Sequence, residues 1–462
     1  MSVPKAQLEA FLAELRGASP GLDVTTAEAT LAPFGQDESG LGTFPPQALV
    51  RAVSTAHVST VLRLATKHGV PITPVGARTG KSGGSLPIAG GVALSLERMD
   101  RILEVNADDL LMVVQPGVRT AQVDEAAEKL GLFYPPDPNS ADACTMGGNV
   151  AENAGGPRAL KYGVTRDYVL GLEWVMPTGE VLRVGRRTHK GVAGYDLVGL
   201  FVGSEGTLGV ATEITLKLIP RPRVVKTALI PFRNVSDAAR ALSSVLTSGA
   251  WPRTLELLDE VALKAIAGQG LPTPPDAGAV VIAELDGNQD DAVLSELSAV
   301  VERCASWGSL EAVVAQDEAQ RARLWAVRKA VSPALRSLLG QKISEDVVVP
   351  RSKVPEAIER FKAAGARQGL VVATYGHAGD GNLHSNVLYR SMDEWPRVEA
   401  VLAELMAITL ELGGTISGEH GIGLAKKRFL ALELSAPLRE LQRRLKVFCD
   451  PSVVLNPGKI WD

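Results

Sequence analysis

The chain has 462 residues, 45% of them hydrophobic and 22% charged, which argues against fibrous and disordered classes. At roughly 150 residues per domain the length predicts two or three domains. Lys and Arg total 48 against 52 for Asp and Glu, a net charge of -4, and no basic stripe of the kind that phosphate-backbone binding requires is present, which argues against nucleic acid as a partner.

Residues 1–17, MSVPKAQLEAFLAELRG, carry Glu9 and Glu14 within their apolar stretch. They read as an amphipathic helix, since a signal peptide needs an unbroken apolar core. No run of about 18 apolar residues predicts a bilayer span, and peripheral docking at the inner membrane face stays compatible. Cys144, Cys304 and Cys449 are far apart without CxxC pairing, so no disulfide framework, zinc ribbon or iron–sulfur cluster is expected, and a reducing cytoplasm fits.

From residue 47 to 220, short apolar strands alternate with Gly-rich turns and a few helices, starting with a helix over VSTVLRLATKHG and a buried strand at VPITPV. Two hairpin-like units are expected to close this half, GLEWVMPTGEVLRV around Pro177-Thr178-Gly179, and GTLGVATEITLKLIP. The IPRPR stretch, Ile219 to Arg223, reads as a boundary. Beyond it KTALIPF, AVVIAEL and DVVVP alternate with the helical patterns DAARALSSVL, DAVLSELSAVVERC and PEAIERFKAAGARQG, predicting an α+β domain with a helix-covered sheet. GLPTPPDAG at 270–278 reads as a surface loop.

PVGARTGKSGGS, residues 74–85, lies between two predicted strands. Glycines let backbone amides approach a phosphate closely and take positive φ, so the loop can cradle a diphosphate. Gly80-Lys81-Ser82 also nearly matches a P-loop, but Val75 stands where its first glycine belongs. A nucleotide hydrolase and a purely structural turn are the alternatives. TMGGNVAENAGGPRALKYG, residues 145–163, adds two Gly-Gly pairs with Asn149 and Asn153, a composition suited to backbone packed around a large flat polar ligand. GSEGTLGV, residues 203–210, repeats the theme.

In the order glycine loop, PPDP, GGNVAENAGG, GSEGTLG, these segments resemble the FAD-binding domain of the vanillyl-alcohol oxidase flavoprotein superfamily. The resemblance implies that Pro74, Val75, Gly76, Ala77, Arg78, Thr79, Gly80, Gly83, Gly84 and Ser85 hold the FAD diphosphate. Pro136, Gly147, Gly148, Asn149, Asn153, Gly155, Gly156, Tyr162, Gly163, Glu205, Gly206 and Gly209 are then expected to line the rest of the cofactor. Arg78 and Lys81 depart from the small residues expected in such a loop and offer the diphosphate a direct cationic contact. No His lies between Pro71 and Pro87, so the FAD is expected to be non-covalent.

Of six histidines, three fall in two glycine-flanked segments, YGHAGDGNLH (His377, His384) and SGEHGIG (His420). A two-residue turn at Asp380-Gly381 pairs Gly379 with Asn382 and therefore His377 with His384. Opposed residues have Cβ atoms about 4.5–5.5 Å apart, close enough for both imidazoles to reach one divalent ion. Glu419 can supply a third ligand, leaving the open position of a catalytic metal. Hydrogen-bonded core histidines and a zinc-dependent hydrolase are the alternatives.

These segments resemble the C-terminal domain of FAD-linked D-lactate and D-2-hydroxyglutarate dehydrogenases and of the glycolate oxidase flavoprotein subunit. The resemblance implies a divalent metal, zinc first, on His377, His384 and Glu419, with His420 as the base. It places Arg328 on the substrate carboxylate, with Tyr375, Asn382 and Lys342 as further pocket residues. A small 2-hydroxy acid is the implied substrate, with a quinone, electron-transfer flavoprotein, cytochrome or iron–sulfur subunit as electron acceptor, and a homodimer is compatible. The terminal LNPGKIW resembles the segment that returns to the FAD domain, with Asn456 near the flavin. The expected architecture is α+β: an FAD-binding domain over 1–222 with the tail 441–462, and a ferredoxin-like substrate (cap) domain over 223–440.

Overall fold

The computed structural model describes residues 2–461. By internal contacts the chain divides into two compact units, the first comprising the residues up to Gly155, Val164–Arg221 and the residues from Glu419 onward, the second Gly156–Gly163 and Pro222–Gly418. Two boundaries differ from those expected. The C-terminal segment enters the first unit at Glu419 instead of residue 441, and Gly156–Gly163 belongs to the second unit. Polar anchoring explains the second difference: Lys161 Nζ and Tyr162 Oη both donate to the buried Asp286 carboxylate of the second unit, at 2.6 and 2.8 Å.

The first unit contains a four-stranded sheet of β1 (Asp23–Thr25), β2 (Ala48–Arg51), β3 (Ile72–Val75) and β4 (Val92–Ser95), in the order β1-β2-β4-β3. The helix Thr55–His68 crosses from β2 to β3. Its Ser54 side chain accepts the His57 amide at the start, and Gly69, at φ 64, ends it in the left-handed region. Val58, Val61, Leu62 and Ala65 recur at helical spacing and are buried.

A second sheet has β5 (Ile102–Asn106) and β6 (Leu111–Val114), while β7 (Leu132–Phe133) stands apart and pairs with the later β11 (Ile219–Pro220). With β8 (Val169–Val175), β9 (Val181–Gly185) and β10 (Val210–Lys217) the order is β5-β6-β10-β8-β9, antiparallel throughout. GLEWVMPTGEVLRV forms the expected β8–β9 hairpin. GTLGVATEITLKLIP is not a hairpin: β10 runs unbroken through the middle of the sheet, because its alternating residues are satisfied by β6 on one side and β8 on the other.

In the second unit β12 (Val224–Phe232), β13 (Thr254–Asp259), β14 (Ala279–Gly287) and β15 (Val313–Val314), with the helices Val235–Leu246 and Asp290–Ala305, take the order β15-β12-β14-β13. This is the ferredoxin-like βαββαβ arrangement. β16 (Gln341–Val348), β17 (Val371–Gly376) and β18 (Asn382–Tyr389) widen the sheet to seven strands by joining β13 in the order β17-β18-β16. The helix Glu318–Leu339 packs Leu324, Val327, Val331 and Leu335 into the core formed by Leu258, Ile282, Ala373 and Tyr375. It therefore covers the face that carries the polar residues described below.

The C-terminal tail is fastened to the first unit by a buried lysine. Lys446 Nζ donates to the Thr207 and Leu455 carbonyls, each at 2.8 Å, and to Asp450 Oδ2 at 2.6 Å. Burial pushes its ammonium below the usual lysine range, with Asp450 opposing. Replacing Lys446 by Ala leaves Asp450 without its counter-ion, and breaking such a buried pair costs about 3 kcal/mol. The expected outcome is a lower midpoint in thermal or urea unfolding of the variant.

Candidate active site

A cluster of buried polar groups lies on one face of the second unit's sheet. Glu256 in β13 is fully buried, and its Oε1 bonds His377 Nδ1. Glu256 Oε2 accepts Arg328 Nε at 2.7 Å and also pairs with Arg328 Nη2. The Arg328 guanidinium stacks over the Tyr375 ring, 4.8 Å from its centroid, and that ring lies 5.5 Å from the His384 ring. Burial alone would raise the Glu256 carboxyl, but Arg328 and His377 outweigh it and hold it at about 2. Arg328, Tyr375, His377 and His384 are thus brought together.

The hairpin that carries the histidines differs in register from the expected two-residue turn. His384 lies opposite Tyr375, not His377. The strands stop at Gly376 and Asn382, and the five residues between them make the turn, with the His377 carbonyl accepting the Asp380 and Asn382 amides at 3.1 and 3.2 Å. Gly376 at φ 148 and Gly381 at φ 89 provide conformations that side-chain-bearing residues rarely adopt. His377 and His384 still meet: the ring centroids are 5.2 Å apart, edge to face, and one nitrogen of each lies within 4.8 Å of the other. Two imidazoles at that spacing suit a single divalent ion. Glu419, the third expected ligand, begins the C-terminal segment of the first unit, where a Cβ on Gly155 would lie 2.8 Å from its Oε2.

Two pocket candidates take internal partners. Asn382 Nδ2 donates to Asp346 Oδ1 at 2.6 Å and to the Val347 carbonyl at 3.1 Å, so both amide hydrogens tie the hairpin to β16. Asp346, fully buried opposite His384, also accepts the Gly418 amide at 2.9 Å and thereby fixes the end of the segment that leads to Glu419. Lys342 Nζ bonds Ser332 Oγ at 2.8 Å and Asn386 Oδ1 at 3.0 Å, two residues along β18 from His384.

In the first unit, the loop after β3 fits a diphosphate. None of the amide N–H groups from Gly76 to Ser85 meets an acceptor among the described residues, and Gly80 faces open space. A run of donors without acceptors is the backbone arrangement that receives an anion. Of the two cations in the loop, Arg78 stacks on Phe34 at 4.4 Å and faces Glu97, and Lys81 pairs with Glu38. Both cations hold the loop to neighbouring segments. The P-loop reading also fails, since no helix starts after Ser82 and the next element is β4.

Other cofactor candidates divide by surroundings. Asn456 Nδ2 donates to the Gly84 and Glu205 carbonyls at 2.9 and 3.0 Å, joining the tail to the glycine loop. Asn149 Nδ2 bonds Thr120 Oγ1 at 2.7 Å and Asn153 Oδ1 accepts the Arg166 amide at 2.9 Å, so both side chains serve the fold. A Cβ on Gly147 would meet Pro116 at 2.6 Å, and one on Gly209 would run into Trp174. Those two glycines are required by packing. Gly156, Tyr162 and Gly163 lie in the second unit.

His420 is half-buried, in the loop held by Glu205. The Glu205 carboxylate accepts the Ile422 amide at 2.8 Å and the Gly423 amide at 2.6 Å. Burial raises the Glu205 carboxyl, against the lowering effect of those two amides. Beside the cofactor role expected from sequence, the Glu205 side chain holds the loop that carries His420.

Residues 46–185 match the FAD binding domain model, and residues 221–460 match the model of FAD linked oxidases, C-terminal domain. The chain belongs to the FAD-linked oxidase family. It is an FAD-dependent oxidoreductase, and the ten free amides of the glycine loop are consistent with that cofactor. The chain is 41% identical to the glycolate oxidase subunit GlcD of Bacillus subtilis over 90% of its length and 89% of that protein's. Against the D-lactate dehydrogenase of Anaerostipes hadrus it is 38% identical, covering 92% of each chain. The fold matches that of p-cresol methylhydroxylase with a TM-score of 0.81 at 18% identity, over 99% of this chain and 97% of that one, which supports the vanillyl-alcohol oxidase architecture. Among the described residues no helix is long and apolar enough to cross a membrane.

Glu256 and Asp346 were missed by sequence reasoning. The signal available was an acid in an otherwise apolar strand, in TLELLD and in EDVVV, which implies a buried partner. A test of the Glu205 assignment is Glu205→Gln, which exchanges one acceptor oxygen for a donor facing an amide. A displaced loop is expected to slow turnover tenfold or more while absorbance of the purified protein shows full FAD content. Loss of FAD with normal turnover per bound flavin would reverse the assignment.

Proposed function

We propose that this protein oxidises a small D-2-hydroxy acid of the lactate, glycolate or 2-hydroxyglutarate type to the 2-oxo acid. The observation that carries the reading is the grouping of a buried arginine with two histidines at metal-ligand spacing on one sheet face, in a chain whose relatives are named glycolate oxidase subunit and D-lactate dehydrogenase.

Roles follow from the chemistry of each group. Arg328 binds the substrate carboxylate: Glu256 occupies its Nε–Nη2 edge, leaving the Nη1–Nη2 end for a bidentate contact. His377, His384 and Glu419 would hold a divalent ion, zinc or manganese, which supplies Lewis acidity at the substrate hydroxyl. FAD, held by the first unit, would supply the hydride acceptor. His420, as neutral imidazole, takes the hydroxyl proton while the Cα hydride departs. An electron acceptor of the quinone, electron-transfer flavoprotein, cytochrome or iron–sulfur type would complete the reaction.

Anaerobic bleaching of the flavin absorbance by D-lactate, glycolate or D-2-hydroxyglutarate tests the activity, and a chromophore that stays oxidised against all three sinks the reading. His420→Asn is expected to retain FAD but slow that bleaching by about 10²–10⁴-fold; fast reduction in the variant removes His420 from the role of base. Chelation and dialysis are expected to abolish turnover and zinc or manganese to restore it, so full activity of metal-free protein would refute the metal assignment.

A further inference from the structure

Glu256 touches neither substrate nor metal in the reading above, yet it bonds two of the residues that do. β13 pairs with β17 at Leu257–Gly376 and Leu258–Tyr375, so one step further the antiparallel register sets Glu256 opposite His377, just where the β17 ladder ends. Its two oxygens divide their work: Oε1 bonds His377 Nδ1, and Oε2 takes Arg328 Nε at 2.7 Å and Arg328 Nη2. We propose that Glu256 is a positioning residue that aligns the metal-ligating His377 and the carboxylate-binding Arg328 together, so that metal retention and substrate anchoring depend on one side chain. This rests on the assignment of His377 as ligand and Arg328 as anchor.

A carboxylate only accepts hydrogen bonds, so the nitrogen facing Glu256 carries the proton and Nε2 becomes the lone-pair nitrogen of His377. A ligand histidine fixed in this way is a common device for orienting the ring and raising its basicity. His384 Nδ1 stands 4.0 Å from Asp346 Oδ1. The second oxygen fixes the guanidinium plane by its side edge, between the Tyr375 ring and the carboxylate. Because both partners share one rigid, fully buried carboxyl group, displacement of either is transmitted to the other. A plain counter-ion to Arg328 needs no bond to His377, and a plain histidine orienter needs none to Arg328.

Glu256→Gln tests the arrangement, because its amide puts an NH2 donor in place of one of the two acceptor oxygens, so that either His377 or Arg328 faces a donor. The full-length, FAD-loaded protein is dialysed against buffered zinc and its metal measured by elemental analysis, with KM for D-lactate and kcat taken separately. The expected result is a 10- to 100-fold loss of zinc affinity accompanied by a raised KM, at unchanged FAD content and with the near-ultraviolet circular dichroism of the wild type. Glu256→Asp, which keeps both acceptor oxygens on a shorter stem, is expected to recover part of both quantities and serves if the Gln variant does not fold. Unchanged zinc affinity in both variants, or a change in only one of the two quantities, overturns the proposal. Wild-type protein that takes up no zinc refutes the metal reading itself and this proposal with it, an outcome visible before any variant is made.

Discussion

A charge removed from water must find an opposite charge or hydrogen-bond donors, and in the second unit that constraint organises one face of the sheet. Leaving a carboxylate buried and unpaired costs several kcal/mol, so Glu256 can sit at zero exposure only because Arg328 and His377 meet it. The same logic recurs at Asp286, which takes Lys161 and Tyr162, and at Asp346, which takes Asn382 and the Gly418 amide. Each buried acid fixes a segment distant in sequence, and the histidine pair is held within that frame.

In the first unit, backbone groups take the part that side chains take in the second. The glycine loop offers a run of amides without acceptors, and cations that could have served an anion are turned to Phe34, Glu97 and Glu38. Arg78 and Lys81 tie the loop to neighbouring segments, and its amides present N–H dipoles that suit an anion. Glu205 does the converse for the His420 loop, a carboxylate accepting two backbone amides.

Much of this was legible in the sequence, and for local reasons. The helix after Ser54 needs only its cap, its apolar spacing and Gly69. The β8–β9 hairpin needs only alternation and a turn, and the glycine-rich segments carry their backbone chemistry in their composition. The family resemblance was likewise held in short contiguous motifs, which is why the cofactor class could be read before any fold.

What sequence could not decide was everything set by pairing between distant segments. Asp380-Gly381 announced a turn, but strand ends imposed by β13 and β16 made it five residues long and moved His384 opposite Tyr375. Glu256 lies 121 residues from His377, and no local pattern links them. Sequence by itself determined the residue types available for flavin and acid chemistry, because those are properties of short motifs. Tertiary structure alone decided which carboxylate meets which histidine, because desolvation makes buried charges choose partners by space and not by order along the chain.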